Sequence, residues 1–137
     1  MKKKNICFAV NTFEQAMTVI KEAKKNNINP IFFIKNYILK SFGIEWVEAF
    51  QIFLNKSYPK NSFEIYVDAN YNFGLAIELI DLKTHYIKLK SNQIILKKIN
   101  QIAKKNKVLL NPSFRIVDLC NIKNISRKIY SISIRGN

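Results

Sequence analysis

The side chains best suited to chemistry gather in one stretch, Phe63 to Lys90. Asp68 closes an alternating run in which Glu64, Tyr66 and Asp68 share one face, and in a second run Tyr86, Lys88 and Lys90 do the same. A carboxylate beside a lysine could shuttle a proton. A lysine whose pKa is depressed by desolvation or nearby cations could attack a carbonyl as a Schiff-base nucleophile. Asp68, Lys90 and Lys88 are therefore the candidate catalytic residues. The competing reading is a lysine paired with Asp68 or Glu64, which keeps its proton and is not nucleophilic. Other chemistries find less support. His85 is the only histidine and has no second His or Cys pair to complete a zinc site, so its expected role is structural. Gly43, Gly74 and Gly136 are isolated, which excludes a phosphate-cradling glycine loop. Cys7 and Cys120 make no Cys-x-x-Cys pair and no disulfide framework, and a reducing cytoplasm is the expected location.

The elements that must position these residues follow a βα period. Ile65 and Val67, then Ile87 and Leu89, face away from the polar row. Between the two runs Phe73, Ala76, Ile77 and Ile80 recur at helical spacing. That makes a strand, a helix and a parallel strand. Upstream, Asn5 to Val10 reads as a strand with Ile6, Phe8 and Val10 on one face and Cys7, Ala9 and Asn11 on the other. Thr12 and Gln15 form a capping box for a helix buried through Ala16, Val19, Ile20 and Ala23 and ended by Asn26 and Asn27. Pro30 opens a strand, Ile31 to Ile34. Asn36 is placed to cap a helix that Gly43 interrupts before Ile44 to Asn55 resumes it, with Trp46, Ala49, Phe50 and Phe53 spaced for burial. Downstream, Ser91 or Asn92 caps a helix that turns Ile95, Ile99, Ile102 and Ala103 inward. Val108 to Leu110 is a fifth strand, closed by Asn111 and Pro112. Phe114 to Asn121 reads as a short helix or strand, and Ile129 to Ile134 alternates Ile with Ser like an edge strand.

Strands of a doubly wound sheet are apolar on both faces, so alternating strands imply helices on one face only. The expected fold class is α/β: βα units with a mainly parallel sheet of about five strands, partial TIM-barrel-like, in a single domain over 1–137. The βα units cover 5–111 and the remainder, 112–137, is a tail. On this reading Glu64, Tyr66, Asp68, Tyr86, Lys88 and Lys90 point into the lumen, and pairing at equal depth sets Asp68 beside Lys90. The alternative is a plain solvated sheet face.

Lys and Arg number 23 against 9 Asp and Glu, a formal net charge of +14. Such charge suits nucleic acid or an anionic membrane surface. Only Arg115, Arg127 and Arg135 are arginines, however, and arginine is the preferred residue for bidentate phosphate recognition. The start Lys2 to Lys4 resembles a signal peptide's charged region, but the apolar run Ile6 to Val10 is too short to follow it. Lys35, Lys40, Glu45 and Glu48 interrupt the most apolar stretch, Pro30 to Leu54, so no membrane span is expected.

The stretches AVNTFEQAMTVIKEAKKNNINPIFF and YVDANYNFGLAIELIDLKTHYIKLK resemble the first βα units of the class II, zinc-dependent fructose-bisphosphate and tagatose-bisphosphate aldolases, over residues 5 to 111. The resemblance implies a barrel fold with a third strand ending in Asp-His, the aspartate a proton donor and the histidine a zinc ligand. Asp68 keeps the first, and Ala69 stands at the second, where it cannot bind metal. Lys90 stands where the fourth strand usually ends in an acidic residue. Asn111 and Pro112 stand where the fifth carries a glutamate. HYIKLKSNQIILKKINQIAKKNKVLLNPS is also similar to the sialic-acid synthases, which are barrels too.

The leading expectation is a catalytically inactive aldolase-like protein kept as a binding or assembly module, with no cofactor. The alternative is a metal-free aldolase or lyase acting on a small carbonyl or sugar phosphate. A second alternative is a basic protein that binds RNA or another polyanion through the lysines of the first and fourth helices. An open sheet face and bare edges favour a homodimer, because the tail has few large apolar residues to cover them.

Overall fold

The computed structural model describes residues 3–134. Lys2, Arg135 and Gly136 lie outside the described residues. Four βα units and a fifth strand come first: β1 (Lys4–Ala9), α1 (Phe13–Lys25), β2 (Ile28–Ile34), α2 (Asn36–Phe42) and α3 (Ile44–Ser57), β3 (Glu64–Asn70), α4 (Phe73–Asp81), β4 (Tyr86–Leu89), α5 (Gln93–Lys105) and β5 (Leu109–Leu110). The tail adds β6 (Ile116–Asp118) and α6 (Ile125–Ile134). The strands form one parallel sheet in the order β5-β4-β3-β2-β1-β6.

Strands added in sequential order by right-handed crossovers put their helices on one face. The alternation of the strands agrees. Phe8, Phe32, Ile65, Val67 and Ile87 belong to the core beneath the helices, whereas Cys7, Ala9, Ile31, Phe33 and Tyr66 pack together on the other face. Chain length then dictates curvature. Leu110 ends β5 at one edge and Ile116 begins β6 at the other, six residues later. Six residues reach at most about 21 Å. Five inter-strand gaps in an uncurled sheet would span about 24 Å. The sheet therefore curls, as part of a barrel, and the crossing runs over the inner face. Phe114 lies there, 4.9 Å from the ring of Tyr86 and 6.0 Å from that of Tyr66.

Local chemistry explains most element boundaries. Thr12 Oγ1 accepts from Gln15 N at 3.0 Å and Gln15 Oε1 accepts from Thr12 N at 3.3 Å, completing the capping box of α1. Asn92 caps α5 and Asn72 caps α4. Gly43, at φ +78°, breaks α2 from α3. The left-handed corners at Asn27, Asn61, Asn70 and Asn111 use asparagine, whose short side chain tolerates positive φ. Pro30 lies inside β2, which begins at Ile28. Its missing N–H faces the β3 side, where pairing starts only at Ile31.

Several expectations are corrected. The segment Ile129 to Ile134 belongs to α6, not to an edge strand; Ile125 and Ile129, one turn apart, bury against the core, so helical spacing prevails over the Ile/Ser alternation. The strand of the tail is β6, which makes the sheet six-stranded. The tail thus covers the β1 edge, packs α6 beside α1 and crosses the inner face. Lys35, not Asn36, occupies the cap position of α2, and Asn36 donates to Asp68 O at 2.9 Å. In α3 the buried stripe is Val47, Phe50 and Leu54, with Ala49 exposed. In α4 it is Ala76, Leu79 and Ile80, with Phe73 exposed. Ile102 of α5 is also exposed, because the helix flanks an open edge of the sheet.

Candidate functional site

Sheet register identifies the side chains that meet at the carboxyl end of the strands. Ala9, Phe33, Tyr66, Tyr86 and Leu109 occupy one level across β1 to β5, and Asp118 pairs with Ala9. Ala9, Phe33 and Tyr66 are buried, so the inner face is filled at this depth. Two residues further along β1, β2, β3, β4 and β6, the same face carries Asn11, Lys35, Asp68, Lys88 and Cys120. A polar ring thus rims the mouth of an apolar lumen. In α/β barrels this is the end that holds the chemistry.

One side of the ring is a bonded cluster. Lys35 Nζ meets Asp118 Oδ2 at 2.5 Å. Asp118 Oδ1 accepts from Cys120 N at 3.0 Å, and Cys120 Sγ donates to Asn11 Oδ1 at 3.1 Å. Tyr37 OH also donates to Asn11 Oδ1. Gln15, whose side chain completes the helix cap, ties the cluster down through Cys120 O at 3.2 Å. The hydrogen bond from Lys35 holds the Asp118 carboxyl below its ordinary range, and Lys35 is raised in turn. Burial, reinforced by Asp118, pushes the Cys120 thiol up, so the thiol keeps its proton. Burial also raises Tyr37. Deeper in the lumen, burial pushes Tyr66 and Tyr86 up to about 12, and Tyr86 OH donates to Glu64 Oε1 at 3.1 Å.

The other side holds the residues singled out from sequence. Asp68 pairs in register with Lys88, not with Lys90. β3 runs on to Asn70, and a bulge between Asp68 and Asn70 sets Asn70 opposite Leu89. Asn70, at φ +55°, donates its N–H to Asp68 Oδ1 at 2.8 Å. Lys90 is exposed and places Nζ 5.6 Å from the Tyr71 ring centre. Lys88 is half-buried on the inner face, Nζ 6.0 Å from the centre of Phe33. Among the described residues the ion pairs are Lys25–Glu22 and Lys35–Asp118, so Lys88 and Asp68 are neighbours in register without a salt bridge. Ala69 is fully buried on the helix side. Asn111 acts as a piece of backbone: its amide accepts from Leu89 N at 2.8 Å and donates to Leu89 O at 3.0 Å. His85 is likewise structural, its Nδ1 accepting from Ile65 N at 3.1 Å.

Sequence reasoning missed Lys35, Tyr37, Asp118 and Cys120. The signal for Lys35 was present, since it lies two residues past Phe33 on the alternation of β2. Asp118 and Cys120 depend on a strand contributed by the tail.

No family model matches the sequence, and no curated protein matches it. A crystal structure assigned as a fructose-1,6-bisphosphate aldolase from Coccidioides immitis is similar in fold, with a TM-score of 0.61 at 9% identity. The match covers 80% of this chain and 45% of that one, so the chain spans less than half the length of this structural neighbour. The fold is aldolase-like. Among the described residues, no helix is long and apolar enough to cross a membrane.

Proposed function

We propose that this protein is a catalytically inactive, aldolase-like binding or assembly module of a reducing cytoplasm. The observation that carries the reading is the state of the mouth, whose polar groups are largely bonded to one another. Lys35 and Asp118 hold fixed opposite charges, Cys120 keeps its proton, and Asp68 receives a backbone N–H. General acid–base work asks for a group that titrates near the working pH. Here the hydrogen bond between Lys35 and Asp118, and the burial of Tyr37 and Cys120, move these four groups away from it. The zinc expected of class II aldolases does not fit these residues. Ala69 offers only a buried methyl group, Lys90 is a cation in solvent, and Asn111 spends its amide on Leu89. Zinc titration with an aldol-cleavage assay tests the proposal. The expected result is neither stoichiometric zinc nor turnover; both together, on a ketose bisphosphate, overturn it.

The assembly half of the proposal is a homodimer through the β5 edge. Leu109 on β5 is 52% exposed and Ile94 on the adjoining α5 is 70% exposed. A two-fold partner would pair the two edges antiparallel and cover these side chains. Sedimentation at micromolar concentration is expected to give a dimer that Leu109→Lys dissociates. A monomer at that concentration removes this half of the proposal.

One observation favours a second reading, metal-free Schiff-base chemistry on Lys88. This lysine is half-buried, lies in register with Asp68 and forms no salt bridge among the described residues. Lys90, exposed beside Tyr71, does not share that setting. Borohydride trapping with a panel of carbonyl compounds, followed by peptide mapping, distinguishes the two. An adduct confined to Lys88 supports the enzyme, and its absence supports the binding module.

A further inference from the structure

At the other end of the sheet, α1, the start of β2 and the loop from α3 to β3 enclose a groove of about 690 Å³. Small-molecule sites commonly fall in the range of roughly 300 to 1,000 Å³. The floor is apolar, built on buried Ile20 and Ile28, with half-buried Tyr58 as one wall. Four lysines border it, among them Lys21, Lys24 and Lys60, and no Asp or Glu lines it. Among the described residues none of these three lysines takes part in an ion pair. Their mutual repulsion is relieved by an anion placed among them, and the floor beneath is suited to an apolar body rather than to water.

We infer that this groove binds a small amphiphilic anion, a carboxylate or phosphate head on an apolar tail, with the tail on Ile20 and Ile28 and the head among the lysines. A single-stranded nucleic acid would need a basic track with several aromatic faces for stacking. The groove is half open and offers a single, half-buried tyrosine, too few aromatic faces for stacked bases, which favours a free small molecule over RNA. The site lies at the end of the sheet opposite the polar mouth and does not depend on what the mouth does.

Calorimetric titration with decanoate below its micelle-forming concentration tests the inference. The expected result is one decanoate per chain. A Lys21→Glu/Lys24→Glu/Lys60→Glu variant should bind about tenfold more weakly or worse, because like charge then faces the head group. These side chains are exposed, so the variant should keep the wild-type circular dichroism and urea midpoint; Lys60→Glu alone should show the same trend at smaller size. Decanol should bind more weakly than decanoate, since it lacks the charge. Absence of decanoate binding, equal binding of decanol, or an unchanged affinity in the triple variant overturns the inference. Displacement of decanoate by a short single-stranded RNA also overturns it, in favour of a polyanion surface.

Discussion

The two faces of the sheet bury similar side chains by different means. On the helix side, Phe32 and Phe50 are fully buried within an aromatic group in which Trp46 stacks on Phe50 at 5.0 Å and Phe13 lies 5.4 Å from both. On the inner face, Phe33 and Tyr66 are buried under a five-residue crossing that contributes one large apolar side chain, Phe114. Helices laid down by successive βα units cover the first face. A single thread from a distant part of the chain covers much of the second. The helix side should therefore carry global stability, and the inner face should be able to open locally.

Phe50→Ala should have the largest effect, about 3–5 kcal/mol of unfolding free energy, because it removes a fully buried ring from the centre of that group. Phe114→Ala should cost less, about 1.5–3 kcal/mol, since its ring is half-buried and the loop can settle. Urea denaturation measures both. A second readout sharpens the contrast. Cys7, 2% exposed on the inner face, should react faster with a thiol reagent in Phe114→Ala under native conditions. Equal protection of Cys7 in both proteins would show that the crossing does not cover this face. Thr12→Ala, which removes half of the capping box on the outer layer, should cost about 1 kcal/mol by the same measurement.

This contrast explains what could be read from the sequence. The helix-side core is encoded locally, as period 2 in strands and period 3.6 in helices, and the stripe of α1 was legible residue by residue. Errors there came from elements next to open ends. Phe73 opens α4 and Ile102 flanks the uncovered edge, so apolar type did not mean burial. Asp68 and Lys88 were found on the inner face because their strands alternate. Their pairing was misread because register depends on a bulge and on where β3 ends. The bonded half of the mouth was hidden for a different reason. Asp118 and Cys120 reach Lys35 and Asn11 only when β6 pairs with β1, across more than 100 residues of chain, and no local periodicity reports that contact.

The smallest predicted effect concerns His85, at the opposite end of the sheet from the mouth. Its Nδ1 accepts from Ile65 N while its backbone N–H donates to Ile65 O, so the neutral imidazole adds a second bond to the one by which the backbone fastens the start of β4 to β3. Burial disfavours the imidazolium and lowers the pKa from 6.5, against a weaker opposing pull from Glu64. Protonation would also put a proton where the Ile65 N–H already points. Because the folded pKa lies below the unfolded one, the unfolded chain binds more protons in the interval between them. Stability should therefore be fully present above about pH 6.5 and decline as pH falls through that interval, with no further loss from this group below the folded pKa. His85 is the sole histidine, so no other imidazole obscures the window. Urea midpoints between pH 7.5 and 5.5 should fall in the wild type and stay nearly level in His85→Gln, which keeps an acceptor and cannot titrate. A wild-type profile as level as that of the variant would show that this imidazole does not couple protonation to the β3–β4 pairing.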